Sequence, residues 1–410
     1  MEELKTYRLA DICNSIQTGP FGSQLHKSDY VEFGTPIVMP KDITNGKIND
    51  NNISRISKND VAKLFKHKLV PGNIIYPRRG DISKCALITS KEDGWVCGTG
   101  CIKVDINQQI ANSTYVMYVL CQSETVNWIE SNAVGTTMLN LNTSILSDLP
   151  IKLPSLNTQK KLANIVSSFD NKIALNRRIN DNLEQQAQAL FKSWFVEKPN
   201  PQWTKGSLSD IASFVGGYSY KGDELVDSSN TGMATTKNYN RSGGFKTDGF
   251  KAINPSAKVK NAQYAELFEI LVAHTDLTQN AEVIGNAELV LSLGEYNKII
   301  FSMDLVKVLP SSSFPYRFLI AAMLKNKLFK GHCQGYVNGT TVLHLNKKAL
   351  PEYKVMIPTD TEAKKMNEIL GGYYKRMSEN LKESDMLEQL RDTILPKLMS
   401  GELKINDLNC

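Results

Sequence analysis

The 410-residue chain lacks several of the usual signatures of catalysis. None of its 15 prolines is followed by another, so there is no Asn/Asp-Pro-Pro-aromatic tetrapeptide of the kind that grips an extruded adenine during amino methylation. Gly-x4-Gly-Lys-Ser/Thr is absent too, which removes a phosphate-cradling motor, and Phe214-Val-Gly-Gly217 reads as a turn rather than a cofactor loop. The five histidines (His26, His67, His274, His332 and His344) show no metal-ligand spacing, and no Ser/His/Asp set assembles from the sequence. Seven cysteines, an odd number scattered through a long chain, argue for reduced thiols rather than a disulfide framework. Cys97 and Cys101, with Cys85 upstream, have no nearby histidine or fourth cysteine to complete a tetrahedral site. No apolar run reaches the length of a membrane span, and the opening Met-Glu-Glu-Leu-Lys-Thr-Tyr-Arg has no apolar signal core. The expectation is a cytoplasmic protein with no catalytic residue, no metal and no cofactor of its own, away from any membrane.

What is present is ordinary in amount and unusual in order. Apolar residues make up 41% and charged residues 22%, enough for sizeable cores, and 410 residues exceed one common core. Net charge is +6, and the excess sits mostly in residues 198–357, with 18 Lys+Arg against 13 Asp+Glu. Such an excess is compatible with a nucleic-acid surface and does not demand one.

The informative feature is a duplication at an offset of 204. Gly135-Thr136-Thr137-Met138-Leu139-Asn140-Leu141-Asn142 returns as Gly339-Thr340-Thr341-Val342-Leu343-His344-Leu345-Asn346, and Pro154 maps onto Pro358. Each proline opens a long helical pattern. In the first, Leu162, Val166, Phe169, Ile173, Leu183, Ala187, Leu190 and Trp194 form a seam with the alternation of a coiled coil. In the second the seam is Met366, Leu370, Tyr373, Met377, Leu387, Ile394 and Leu398. Thr359 and Glu362 make a capping box, and Pro396 predicts a kinked or frayed last turn. Asn176 and Asn380 interrupt the two seams at equivalent places, and an amide there fixes register because a misaligned partner leaves it buried and unpaired. Before each long helix lies a β-rich stretch with one helix, at Tyr115 to Ser131 and again at Tyr316 to Phe329. The expected fold is α+β with a pseudo-twofold internal repeat: domains at 1–157 and 199–357, joined by long antiparallel coiled-coil helices at 158–198 and 358–410. Two unlike heads on such a spacer suit two short DNA sequences separated by an unread gap.

This order resembles the specificity subunit of type I restriction-modification systems. The resemblance is carried by Leu-Pro-Ile-Lys-Leu-Pro-Ser-Leu-Asn-Thr-Gln-Lys-Lys-Leu leading into the first long helix. Leu9-Ala-Asp-Ile12 with Gly19-Pro-Phe-Gly-Ser23, and their echo Leu208-Ser-Asp-Ile211 with Gly216-Gly217, are similar to the entries of the family's target-recognition domains. Asn157-Thr158 and Glu362-Ala363 depart from the acidic-Gln pair common after the proline. The resemblance implies a non-catalytic subunit that binds a bipartite, asymmetric site in double-stranded DNA. It also implies docking of two modification subunits that methylate adenine with S-adenosylmethionine, and of restriction subunits that use ATP and Mg. Two rival readings use the same residues: a coiled-coil scaffold with two protein-binding heads, and a divergent stand-alone DNA methyltransferase.

Phosphates are met by Lys and Arg, and base edges by Arg, Asn and Gln presented from loops. Candidates in the first head are Gln24, Lys27, Arg78, Arg79 and Lys84, with Lys63, Lys66 and Lys68 adding diffuse attraction. In the second they are Lys237, Asn238, Tyr239, Asn240, Arg241 and Lys246, a polar-aromatic loop with Gly243-Gly244. Thr136, Thr137, Thr340 and Thr341 occupy one place in both copies and so suit a shared task, a turn with some phosphate contact, rather than differing readout.

Overall fold

The computed structural model describes residues 4–44, 46–135, 139–241, 243–256, 259–276, 278, 280–400 and 402–403. Two compact units divide the chain: residues 1–171 with 389–410, and residues 172–388. Each unit therefore holds part of each long helix, and the boundaries fall within helices rather than before them.

The first unit is built on a four-stranded antiparallel sheet in the order Cys13–Thr18, Cys101–Ile106, Asn73–Pro77, Ala86–Leu87. Asn73-Ile-Ile-Tyr-Pro77 is buried throughout, because both faces of this sheet are covered. Strand periodicity of two sorts its side chains between two cores. Ile74 and Tyr76 face a cluster with Val116, Leu120, Leu162, Val166 and Leu395, while Ile75 faces one with Val38, Ala86 and Cys97. Val38 and Cys97 come from a second, outer sheet in the order Val96–Cys97, Thr35–Val38, Arg55–Ile56, Tyr30–Val31. A ribbon of Lys5–Arg8 with Pro150–Leu153 closes the base, and Pro150–Leu153 leads into the central long helix, Leu156–Lys192.

The second unit repeats this plan. Its main sheet runs Ala212–Gly216, Leu305–Pro310, Ile270–Ala273, Ala287–Leu289, and its outer sheet Lys251–Ala252, Thr231–Ala234, Lys298–Phe301, Tyr264–Ala265. Ile270 and Val272 face the helices, and Leu271 and Ala273 face outward. A ribbon of Thr204–Ser207 with Lys354–Ile357 precedes the terminal long helix, Asp360–Ser400. The glycine turns singled out by sequence have one steric cause in both copies. A Cβ on Gly19 would stand 2.0 Å from the Gly98 carbonyl oxygen, and one on Gly217 would stand 2.0 Å from that of Ser302.

Where one helix is expected in each domain, two are found: Ser113–Leu120 then Ser123–Asn132, and Arg317–Leu324 then Lys327–Gln334. In the second copy the Asn326 side chain accepts from the amides of Leu328 and Phe329, so a new helix starts where continuation was expected. The helices hold their β-rich domains to the long helices by polar contacts. In the first unit the Tyr118 hydroxyl donates to Asp170 at 2.5 Å, and Arg391 Nη1 donates to the same carboxylate at 2.7 Å.

Within the second unit the two long helices lie against each other in opposite senses, since Asn176 meets Asn380 and Ser384 while Asn180 meets Met377. Asn176 Nδ2 donates to the Asn380 carbonyl (3.3 Å), Glu383 (2.9 Å) and Ser384 Oγ (3.3 Å). The Asn380 side chain does not reach Asn176; it donates to Asn180 Oδ1 at 2.8 Å. Both amides are 1% exposed, and Asn176 Oδ1 and Asn380 Oδ1 are buried without a hydrogen-bond partner. The buried seam includes Leu370, Tyr374 and Met377; Tyr373 is only half-buried, because a straight helix of 3.6 residues per turn drifts from a 3.5-residue repeat. Thr359 and Glu362 form their capping box, and Glu362 also accepts from Asn200 Nδ2 (3.0 Å) and Trp203 Nε1 (2.9 Å). The terminal helix continues through Pro396 to Ser400, with Leu395 and Leu398 buried in the first unit's core.

Candidate nucleic-acid interface

In the second unit, Tyr239 and Phe245 pair across a short hairpin whose turn carries Asn240, Arg241, Gly243 and Gly244. Both glycines have positive φ, at 97° and 99°, which lets the turn reverse without strain. Beneath it runs a series of edge-to-face rings, Tyr239, Phe245, Phe250 and Tyr296, with successive centroids 5.8, 5.6 and 5.9 Å apart. Asn238 is 0% exposed: its Oδ1 accepts from the Thr235 amide at 2.9 Å, and its Nδ2 donates to the Lys246 carbonyl at 2.8 Å. Asn238 and Tyr239, expected to face DNA, are therefore framework of the hairpin. With no exposed surface and both ends of the amide turned inward, Asn238 is out of reach of a base edge.

The outward groups are Lys237 and Arg241, both exposed, with Asn240 and Lys246 half-buried. Arg241 Nε lies 3.1 Å from Glu282 Oε2 on a largely exposed side chain, a pairing weak enough for phosphate to compete with. The main chain of the turn is held from below. Asn286 Nδ2 donates to the Asn240 carbonyl at 3.2 Å, and the Gly244 amide donates to Glu288 Oε1 at 2.6 Å. Glu288 is buried and ion-paired with Lys325, whose Nζ is also 3.2 Å from Glu184 on the central long helix and 5.8 Å from the Tyr374 ring centroid. Burial disfavours the Lys325 charge, but Glu288 and Glu184 more than reverse this and hold its pKa above the usual lysine range.

In the first unit the candidates gather on two loops. Gln24 is exposed, and its Oε1 accepts from the Phe21 amide at 3.0 Å, closing the turn after Gly19; Lys27 is exposed beside it. Arg78 is half-buried, with its amide on the Gly100 carbonyl (2.6 Å) and its carbonyl accepting from Leu141 (2.8 Å). Arg79 is exposed and bridges to Asn140, within the duplicated segment. Lys84 is paired with Asp81 at 2.7 Å and Lys63 with Asp60 at 2.8 Å, so those two charges are locally balanced. Thr136 and Thr137 lie outside the described residues. Thr340 and Thr341 are exposed in a turn after Gly339, which has φ of 112° and whose added Cβ would meet the Val342 carbonyl oxygen at 2.2 Å.

Sequence reasoning passed over three exposed aromatics of the first unit: Phe21, Phe33 (84% exposed) and Phe65, the last with Lys66 Nζ 5.9 Å above its ring. Their only sequence signal is an aromatic set among glycine, charge or lysine in a loop. The buried carboxylate and lysine under the Arg241 hairpin were missed as well, since Ala-Glu-Leu reads as a half-exposed strand. Among the described residues no three His, Cys, Asp or Glu side chains gather as a metal site. Nor is any of the described helices long and apolar enough to cross a membrane.

The chain matches the family described as the type I restriction modification DNA specificity domain, over residues 1–185 and again over 200–389. It belongs to that family. The two matched segments correspond to the two copies of the plan. Among similar proteins, the HindI specificity subunit of Haemophilus influenzae is 28% identical over 214 residues, 51% of this chain and 44% of that protein, so the chain spans less than half of that relative. The MjaIX specificity subunit of Methanocaldococcus jannaschii is 23% identical over 397 residues, 91% of this chain and 88% of that protein. Among solved structures, the type I restriction-modification S subunit from M. genitalium superposes with a TM-score of 0.59 at 18% identity, over 97% of this chain and 96% of that one, and so shares the fold.

Proposed function

We propose that the chain is the sequence-reading subunit of a type I restriction-modification complex, binding double-stranded DNA and performing no chemistry itself. Each recognition domain reads one half of a bipartite site. The halves differ because the loops differ: a hairpin with Arg241 and Lys237 in one domain, and the Arg79 and Gln24 loops in the other. The long helices serve as an antiparallel coiled-coil spacer and dock two modification subunits that carry S-adenosylmethionine. Restriction subunits using ATP and Mg complete the assembly in the cytoplasm. The observation that carries this reading is one two-sheet plan built twice in a single chain, with the main sheets packed against the helices and the loops differing between the two copies.

Mapping of modified adenines across the genome, with and without this gene, tests it. One split, asymmetric motif is expected to vanish on deletion and return on complementation. An unchanged methylation pattern, or methylation of an unsplit palindrome by this chain alone, would refute the reading.

A further inference from the structure

The second unit carries an ion cluster that a folding argument alone leaves unexplained. Lys325 stands at the end of helix Arg317–Leu324 with its ammonium between Glu288 and Glu184, and both it and Glu288 are almost wholly buried. Buried ion pairs add little net stability over apolar side chains of the same size, so such a cluster is better explained by what it fixes in place. Its members come from four elements. Glu184 belongs to the central long helix, Tyr374 to the terminal one, Lys325 to the domain helix, and Glu288 to the edge strand Ala287–Leu289. The second oxygen of Glu288 receives the Gly244 amide, in the turn that presents Arg241.

We infer that Glu288 and Lys325 are positioning residues for DNA readout: Lys325, seated on the long helices, fixes Glu288, and Glu288 suspends the Arg241 turn by one charge-assisted hydrogen bond. This rests on the proposed function and names the part of the second domain that sets the height of its reading turn. The ring series supports the hairpin through Tyr239 and Phe245, and the Gly244 amide is a separate fixed point in the turn. Bonds from an amide to a carboxylate are shorter and stronger than neutral ones, and inside a low-dielectric site they hold geometry closely.

The device is private to the second domain. The residue 204 positions before Lys325 is Cys121, whose Sγ lies 3.5 Å from that of Cys85, and the residue 204 before Tyr374 is Asp170, held by Tyr118 and Arg391. Among the described residues of the first unit no lysine bridges a carboxylate to a reading turn at that place, so loss of the clamp is felt at one half-site only.

The test uses the complex with its modification subunits and duplexes carrying the mapped split motif, intact or with single-base changes in either half. Lys325→Met is expected to lower discrimination against changes in one half at least tenfold while leaving discrimination in the other half unaltered. Glu288→Gln keeps an oxygen for Gly244 but loses the charge that pairs with the Lys325 ammonium, and should give a smaller loss at the same half; it also serves if the lysine variant folds poorly. In the free protein, hydrogen exchange at the Gly244 amide should accelerate at least tenfold in Lys325→Met, with the Val308 amide of the central strand unchanged. Equal loss at both halves, or unchanged discrimination, overturns the inference, as does an unaltered Gly244 exchange rate. A wild-type complex that discriminates at neither half defeats the proposed function and the readout role with it, and the exchange measurement then reports separately on whether the clamp exists.

Discussion

Two adjacent glycines on the terminal long helix make a sharp test of how the second recognition domain is seated. A Cβ added to Gly371 would stand 2.9 Å from Cδ2 and 3.0 Å from Cε2 of Phe318, whereas one added to Gly372 would meet nothing within 4 Å. Phe318 has little room to yield. Its ring lies between Phe268 at 5.5 Å and Tyr374 at 6.0 Å, and its amide is fixed by Asn367 Oδ1 at 2.9 Å. Replacing glycine by alanine inside a helix gains about 1 kcal/mol at either position. At Gly372 nothing opposes that gain. At Gly371 overpacking costs about 1–3 kcal/mol, which cancels or exceeds it. The variants should therefore differ by about 2 kcal/mol, or about 4–8 °C in melting temperature for a cooperative unit of this size. Scanning calorimetry of Gly371→Ala and Gly372→Ala measures the difference directly, and Phe318→Leu in the Gly371→Ala background should recover part of it. If Gly371→Ala stabilises as much as Gly372→Ala, the domain does not press on the helix through Phe318.

Three further outcomes follow from the same geometry. Gly217→Ala, with its Cβ 2.0 Å from the Ser302 carbonyl oxygen, should destabilise the second unit by more than about 3 kcal/mol, because the obstacle is backbone; urea unfolding reads this out. Hydrogen bonds from Thr359 and Asn200 hold the Glu362 carboxyl down to about 2 from its ordinary 4.5. The unfolded chain therefore takes up the proton first, so this contribution is complete above about pH 4.5 and lost as pH falls towards 2; Glu362→Gln should flatten that part of the stability profile. Arg241→Ala should weaken duplex binding and reduce the slope of log affinity against log salt by about 1 if the guanidinium meets a phosphate, while Lys84→Ala, whose charge Asp81 already balances, should change it less.

The sequence carried the parts of this structure that are local or periodic. The duplication, the long helices and the Thr359 and Glu362 cap could be read because their signals lie within a few residues or repeat along one face. The seam was legible in kind and off by one residue at Tyr374, since heptad spacing and a straight helix part company over several turns. The split into two short helices at Asn326 was hidden because a continuous apolar pattern outweighed a single capping side chain. Among candidate contacts, Lys237 and Arg241 stand outside while Asn238 and Tyr239 between them face inward. Only the local fold decides which of the five side chains from Lys237 to Arg241 is presented. Lys325 and Glu288 could not be matched at all from sequence, as 37 residues separate them and each looks like a surface charge.

The main sheet of the first unit packs an apolar layer on each face, with Ile74 and Tyr76 committed to the helices and Ile75 to the outer layer. It acts as a bulkhead. In the first unit, substitutions outboard of it can alter loops and turn lengths without disturbing the apolar packing that seats the domain, whereas in the second unit Glu288 of the edge strand ties the Arg241 turn through Lys325 to Glu184. A lineage under pressure to recognise new DNA can remodel one compartment while the other keeps the domain on its helices.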